Sequence, residues 1–584
     1  MSRIDPPSAL PGDRSRRWAH RVALALLGLL VLLMVGKGVR IAVLPTEQQV
    51  AWNVVIDDGY YYLQVARNLA RGHGSTFDRV NRTNGYQPLW TLALVPVFWF
   101  TDDPGVGMTA ALILATLLGA LSMVLLFTAL ERLVGAGAGL LLCGVVVANP
   151  YFLSILQGGL ETPALFACLA GLAAFWALRG ERVLAGERGA CIGLSLLLAA
   201  VTLSRLDVAF VLLPFALLVV AWGRGWLRRT LWIALPGLLL LVPYLLWNWA
   251  AHGSPVPISG QVKAWVAATH TPTWELWKVT EQWRGVTRTF HELSQLWSAD
   301  PEPRLELVPD RLLLPAALLG LLTLRLLWSA RARANRLALI LVAGGAVGVT
   351  FHGLYLFYVY RSCGHWNYHY FFPFALFYVL LLAVSGPLIL TDLGLLLDRL
   401  LRGRPRRGYA ALGVALSLPL LAVLTHLGVP AAAKRYQDLR KPPALSFRKS
   451  RLDAARNIAK NFPRDTVFGA WWAGTLGYFS DRRVVNLDGV VNSGEFFRRY
   501  LKTDHVDRYI LRGPITHLVD FFWYDVLGPG AVPRSRTFFW ENDKEHVIHR
   551  IHSRLRLVHL FRFRGGAGTY LIDVMKPDGW TGKR

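Results

Sequence analysis

Apolar runs of roughly 15–22 residues recur through the chain as far as about residue 428, most of them near the length that crosses about 30 Å of hydrocarbon as a helix, those at 190–203 and 208–223 being short. They lie at about 22–44, 107–130, 134–150, 164–178, 190–203, 208–223, 231–249, 311–328, 337–359, 369–391 and 410–428. No other feature narrows the fold so far. Each run must satisfy its backbone hydrogen bonds within itself, so the chain reads as a polytopic α-helical membrane protein of about 11 transmembrane helices. Disorder, coiled coil and an outer-membrane barrel are excluded. Composition agrees: of the 584 residues, 54% are hydrophobic and only 17% charged, below the quarter or so usual for soluble proteins.

Charge sets the orientation. Arg14, Arg16, Arg17 and Arg21 precede the first run, which places the N-terminus in the cytoplasm. No small-x-small cleavage site follows, so the first run is expected to stay as a span. Basic clusters then fall at Arg132, Arg179–Arg188, Arg224–Arg229, Arg331–Arg336 and Arg402–Arg407, each in a loop that the alternation assigns to the inside. The segments 45–106 and 250–310 become outer loops. Within the first, 88–101 is apolar but short, and is expected to lie along the interface. The expected domains are a transmembrane catalytic domain, 1–429, and an extracytoplasmic α/β domain, 430–584. In the second, Arg483–Leu487 and Tyr570–Ile572 read as strands, and Ala454–Asn461 and Phe496–Leu501 as helices. A net charge of +26 fits a basic domain lying on anionic lipid better than nucleic-acid binding. Cys143, Cys168, Cys191 and Cys363 carry neither metal spacing nor a disulfide framework.

The residues richest in chemistry open the first outer loop: Asp57-Asp58-Gly59-Tyr60-Tyr61-Tyr62-Leu63, leading to Ala66-Arg67. Tyr61, Val65 and Leu69 recur at helical spacing and predict a helix with one apolar face. Asp58 is placed either to cap that helix or to face a site, because charged groups at a span end usually do so. Lys37 and Arg40 stand nearby in sequence. A turn-rich stretch follows, with His73 to Asp78, then Thr83-Asn84-Gly85-Tyr86-Gln87-Pro88-Leu89-Trp90.

An acidic residue after the first span, eight residues before an Ala-Arg pair, with a turn ending in Pro-Leu-Trp, resembles the GT-C membrane glycosyltransferases. These include protein mannosyltransferases, aminoarabinose transferases, arabinosyltransferases and the oligosaccharyltransferase catalytic subunit. Gly159-Leu160-Glu161-Thr162, Ser204-Arg205-Leu206-Asp207, Pro257 to Lys263 and Val485 to Gly489 look like an uncharacterised bacterial branch of that group. The resemblance implies transfer of a monosaccharide from a polyprenyl-phosphate donor to a glycan, lipid or protein acceptor outside the membrane, with inversion, in cell-envelope biogenesis. Asp58 takes the family's catalytic position as general base, and Asp57 is its neighbour, tuning it by like-charge repulsion. Where relatives often have Glu-Lys or His before the proline, this chain has Tyr86-Gln87-Pro88. Asp78 is then the candidate to replace the acid, and Arg205, Lys263 or Arg40 the phosphate-binding cation, with Gln87 and Glu161 completing the donor site.

Each candidate has a plainer alternative. Glu161 can be a helix-start charge, Arg205 and Asp207 a structural pair, and Lys263 a side chain reaching for headgroups. His365 and Tyr368, with Trp366, His369 and Tyr370, line an acceptor groove or belong to an interfacial aromatic belt. Gly474–Ser480 into Val484–Gly489 reads as glycine turn, strand and polar turn; Asn486 and Asp488 bind acceptor or stabilise that turn. His546, His549 and His552 have helical spacing without a companion ligand set. Asp57, Asp58 and Glu161 are of a type that holds a divalent cation, but the branch resembled here works without one, so no metal or other cofactor is expected. A transporter or flippase of lipid-linked sugars, a non-catalytic scaffold, and a polymerase or ligase using diphosphate-linked glycans are the rival functions.

Overall fold

The computed structural model describes residues 13–148, 152–222, 225–270, 336–360, 447–522, 554–562 and 568–574, with positions 373, 377 and 551. The expected spans at 311–328 and 410–428, all of 369–391 but positions 373 and 377, and His365, Tyr368, His546, His549 and His552, lie outside them.

The expected spans that fall within the described residues are all helices. They are α1 (Asp13–Ala42), α5 (Pro104–Val134), α6 (Ala136–Ala148), α8 (Thr162–Leu184), α9 (Arg188–Ser204), α10 (Ala209–Ala221), α11 (Trp226–His252) and α13 (Arg336–Tyr360). Short helices stand between them: α2 (Thr46–Ala51), α3 (Asp57–Ala70), α4 (Pro88–Leu94), α7 (Phe152–Gln157) and α12 (Ile258–His270). Among the described residues, five helices are long and apolar enough to cross a membrane: His20–Ala42, Pro104–Val134, Thr162–Leu184, Trp226–His252 and Arg336–Leu356. Large apolar side chains stand exposed along them, such as Leu29, Leu32 and Leu33 on α1 and Leu238, Leu239 and Leu246 on α11. Water would penalise such a surface; lipid requires it. Helices α6 and α10, at 13 residues each, reach only about 20 Å. Small residues bring some helices close: a Cβ on Gly344 or Gly348 of α13 would stand 2.6 Å or 2.1 Å from backbone atoms of α10, the close approach that a GxxxG spacing permits.

After this bundle comes an α/β unit. Its helices are α14 (Phe447–Asn461), α15 (Gly474–Ser480), α16 (Gly494–Phe496, continued by a π-turn to Leu501) and α17 (Val506–Arg512). Its strands are β1 (Val467–Ala470), β2 (Arg483–Asn486), β3 (His517–Phe522), β4 (Leu555–Arg562) and β5 (Gly568–Val574), in the order β2-β1-β3-β5-β4. β1 runs parallel to β2 and β3, while β5 is antiparallel to β3 and β4. Two parallel neighbours need a crossover of about a dozen residues, and α15 is that crossover. The Gly474–Ser480 segment is therefore helix rather than glycine turn. Its glycines serve close packing: a Cβ on Gly477 would meet the Phe77 ring at 2.6 Å.

One apolar core joins this unit to the first loop. Tyr60, Tyr61, Val65, Phe77 and Trp90 pack in one cluster with Val262, Leu476, Tyr478 and Val485. A second cluster fills the interior of the bundle. Helix α3 departs from the expected single apolar face: every residue from Gly59 to Asn68 is buried, because the α/β unit covers the side that the bundle does not.

Candidate functional site

Asp57 and Asp58 occupy the first turn of α3, where the helix N-terminus favours negative charge. The N-cap is Ile56, so neither carboxylate caps the helix. Successive helical residues point about 100° apart, and these two have different surroundings. The Asp57 carboxylate enters the α/β unit, accepting from the backbone N–H groups of Gly474 (3.1 Å) and Thr475 (3.0 Å) and from the Thr475 hydroxyl (2.9 Å). Tyr61, one turn on, donates to it at 3.5 Å. Arg448 of α14 also acts on this carboxylate: burial lowers the Arg448 pKa, and Asp57 works against that shift.

Asp58 instead meets α12. Its Oδ2 lies 3.4 Å from Lys263 Nζ, with the Asp58 side chain 37% exposed and Lys263 15%. This is a carboxylate and an ammonium side by side with access to the surroundings: one group that can take a proton, another that can hold an anion.

Behind Tyr62 lies a buried polar cluster. The Tyr62 hydroxyl donates to Glu161 Oε2 (2.8 Å), and Arg205 donates to Glu161 Oε1 (3.1 Å). Arg205 also forks onto Asp207, with Nε to Oδ1 at 2.8 Å and Nη2 to Oδ2 at 3.2 Å. His352 of α13 reaches Asp207 Oδ2 through Nε2 at 3.0 Å. Arg205 is 2% exposed, Glu161 4% and His352 0%. The chain makes room for this arrangement by breaking the helix: α9 stops at Ser204, Arg205 is extended at φ −162°, and a 3-10 turn restarts at Leu206. Gln87 closes the cluster from the first loop, its Oε1 accepting from Leu206 N (3.1 Å) and its own N–H donating to the Tyr62 hydroxyl (3.4 Å).

The structure thus brings Asp58 to Lys263 and Glu161 to Arg205, with Gln87 on the adjoining Leu206. Asp78 lies elsewhere in the loop. It is buried and accepts from Thr76 Oγ1, the backbone of Val80 and Asn81, and Asn81 Nδ2. Burial pushes its pKa up, against those bonds. Arg40 is exposed in the last turn of α1. Asn486 is buried and donates to the Tyr61 hydroxyl and to Trp471 O, each at 3.2 Å. Asp488 is partly buried and accepts from Val490 N at 2.9 Å. Among the described residues no group of three or more His, Cys, Asp or Glu side chains is placed to hold a metal ion.

Sequence reasoning missed Gly474, Thr475, Tyr62, Arg448 and His352. An ionisable residue inside an apolar run was a legible signal for His352. Nothing local marks Thr475, because its partner lies 418 positions away.

No curated protein sequence matches this chain. A domain of unknown function, DUF8728, matches residues 438–564, the α/β unit. Among solved structures, apo oligosaccharyltransferase from Archaeoglobus fulgidus is similar with a TM-score of 0.53 and 12% identity, over 92% of this chain and 79% of that one. Its complex with zinc and sulfate gives 0.51 and 12%, over 91% and 78%. ArnT from Cupriavidus metallidurans bound to undecaprenyl phosphate gives 0.49 and 14%, over 95% and 99%. At such identities the likeness is one of fold. The chain shares the fold of that oligosaccharyltransferase, and its long apolar helices mark a multi-pass membrane protein.

Proposed function

We propose that this chain is a membrane glycosyltransferase that moves a monosaccharide from a polyprenyl-phosphate donor to an acceptor hydroxyl, with inversion. The observation that carries this reading is the partly exposed Asp58–Lys263 pair, which joins the first turn of α3 to α12. The GT-C fold supports the reaction class. In this reading Asp58 takes the proton of the acceptor hydroxyl as its oxygen attacks the anomeric carbon. The bond from that carbon to the phosphate oxygen breaks on the opposite face. The departing lipid phosphate keeps the electron pair, and Lys263 holds its charge. A prenyl chain in the membrane keeps the phosphate near the span end.

Lys263 suits the donor phosphate better than Arg205, whose guanidinium is held between Glu161 and Asp207. Asp488, partly buried, keeps in this reading the acceptor role assigned from sequence. His365 and Tyr368 are assigned the same role from sequence, and Arg40 a role near the donor phosphate. The reading puts the N-terminus in the cytoplasm and the α/β unit outside. The test is turnover of a panel of polyprenyl-phosphate sugars by the protein in lipid nanodiscs, with Asp58→Asn in parallel. Loss of about 10²–10⁴-fold is expected in the variant. Equal turnover by the variant, or no turnover with any donor while another GT-C enzyme works in the same assay, would sink the proposal.

A further inference from the structure

In a sheet ordered β2-β1-β3, the connection from β1 leaves to one side and the chain returns on the other. The crevice at the carboxyl end of such a strand is where α/β domains ordinarily bind ligands. Here that crevice holds a segment of the same chain. Asp57 sits on the two leading N–H groups of α15 and on the Thr475 hydroxyl. At the other end of α15, Arg67 of α3 donates to Tyr478 O at 2.7 Å, and its guanidinium lies 4.7 Å from the Tyr478 ring centroid. Asp481, just past α15, meets Arg71 at 3.2 Å, Arg79 at 3.5 Å and Arg67 at 3.8 Å. Helix α3 therefore lies along α15 with its acidic end at the positive pole and its basic end at the negative pole. Gly474 allows the contact, since a Cβ there would stand 2.1 Å from the Asp57 carbonyl oxygen. Asn486, at the end of β2, holds the Tyr61 hydroxyl.

We propose that the α/β unit is the positioning device of the transferase: Gly474 and Thr475 fix the first turn of α3 through Asp57, and so aim the Asp58 carboxylate. Asp57 and Thr475 are positioning residues, since nothing places them against the substrate. This rests on the assignment of Asp58 as base, and it gives the domain of unknown function a task other than acceptor binding alone. The Asp57 side chain is short, so its bonds to Gly474 and Thr475 restrain the backbone turn that also carries Asp58, and loosening them should widen the range of positions that Asp58 samples.

The test uses the full chain in nanodiscs with Thr475→Val, Thr475→Ser and Gly474→Ala. Hydrogen exchange of the amides in 57–64 is followed beside turnover of polyprenyl-phosphate sugars. The expected result is faster exchange confined to that segment in Thr475→Val. Its kcat should fall at least tenfold with donor KM within twofold, and Thr475→Ser should restore both exchange and kcat. Gly474→Ala should show the larger change. Exchange in 57–64 unchanged in both Thr475→Val and Gly474→Ala, or faster exchange with kcat intact, overturns the proposal. Retained turnover in Asp58→Asn would instead break the assignment of the base, a different failure read in a different variant.

Discussion

Two carboxylate–cation groups meet α3 about one helical turn apart, at Asp58 and at Tyr62, and their burial differs sharply. At Asp58 the pair with Lys263 is partly exposed and loosely spaced at 3.4 Å. At Tyr62 the helix touches a cluster in which Arg205 is nearly enclosed by Glu161 and Asp207. Each group sets carboxylate against a basic side chain, but the physical roles differ. A buried guanidinium has lost its water and stays stable only because both flanking carboxylates and their hydrogen bonds remain. Releasing it to a passing phosphate would leave those carboxylates uncompensated. Lys263 and Asp58 are less enclosed, so exchanging one anion for another there costs less. Availability, more than charge, separates a group fit for turnover from a group that holds helices together.

The largest effect should come from removing the enclosed cation. Arg205→Met should cost about 3–5 kcal/mol of stability, because it strands two buried carboxylates. Arg205→Lys should not rescue it, since an ammonium cannot reproduce the fork onto Asp207. Thermal unfolding in detergent measures both. If Arg205→Met melts like the parent and only raises donor KM, Arg205 belongs to the donor site and the contrast collapses. Next in size is Lys263→Met. A charge-assisted bond of about 1.5–3 kcal/mol lost to the departing phosphate should lower kcat/KM roughly tenfold to a hundredfold. The melting temperature should barely move, given the small worth of partly exposed pairs. A Lys263→Met variant that unfolds while keeping kcat/KM would reverse the two roles.

How much of this could be read beforehand depends on the range of the interactions. The long apolar helices among the described residues were legible because each apolar run is a local pattern with its own length criterion. The strand at Arg483–Asn486 and the helix over Ala454–Asn461 were legible for the same reason. Asp58 stood out by its place after the first span. Local pattern misled where tertiary contact overrides it. Tyr61, Val65 and Leu69 read as one apolar face, yet Gly59–Asn68 is buried all round, because the covering surface arrives more than 400 residues later. Gly474-Thr475 read as a turn because glycine is the usual mark of one; here it marks a close approach to Asp57. Arg205 and Asp207 were recognised as a possible structural pair, but Tyr62 and His352 entered only when four separate elements met.

The smallest effect tests whether the two groups act separately at all. Tyr62 lies four residues after Asp58 on α3, and its hydroxyl joins the helix to Glu161 and to the Gln87 backbone. Tyr62→Phe keeps the ring and removes the donor, so Glu161 Oε2 loses a bond while Arg205 still holds the other oxygen. The expected cost is about 1 kcal/mol of stability. If the enclosed cluster and the partly exposed pair are independent, the same cost appears in an Asp58→Asn background, with the two changes adding to within about 0.5 kcal/mol. The double-mutant cycle is measured by thermal unfolding of all four proteins. A coupling above about 1 kcal/mol would mean that the first turn of α3 and the Arg205 cluster move as one unit. The buried cluster would then help set the aim of Asp58, and the division of roles drawn from burial would have to be given up.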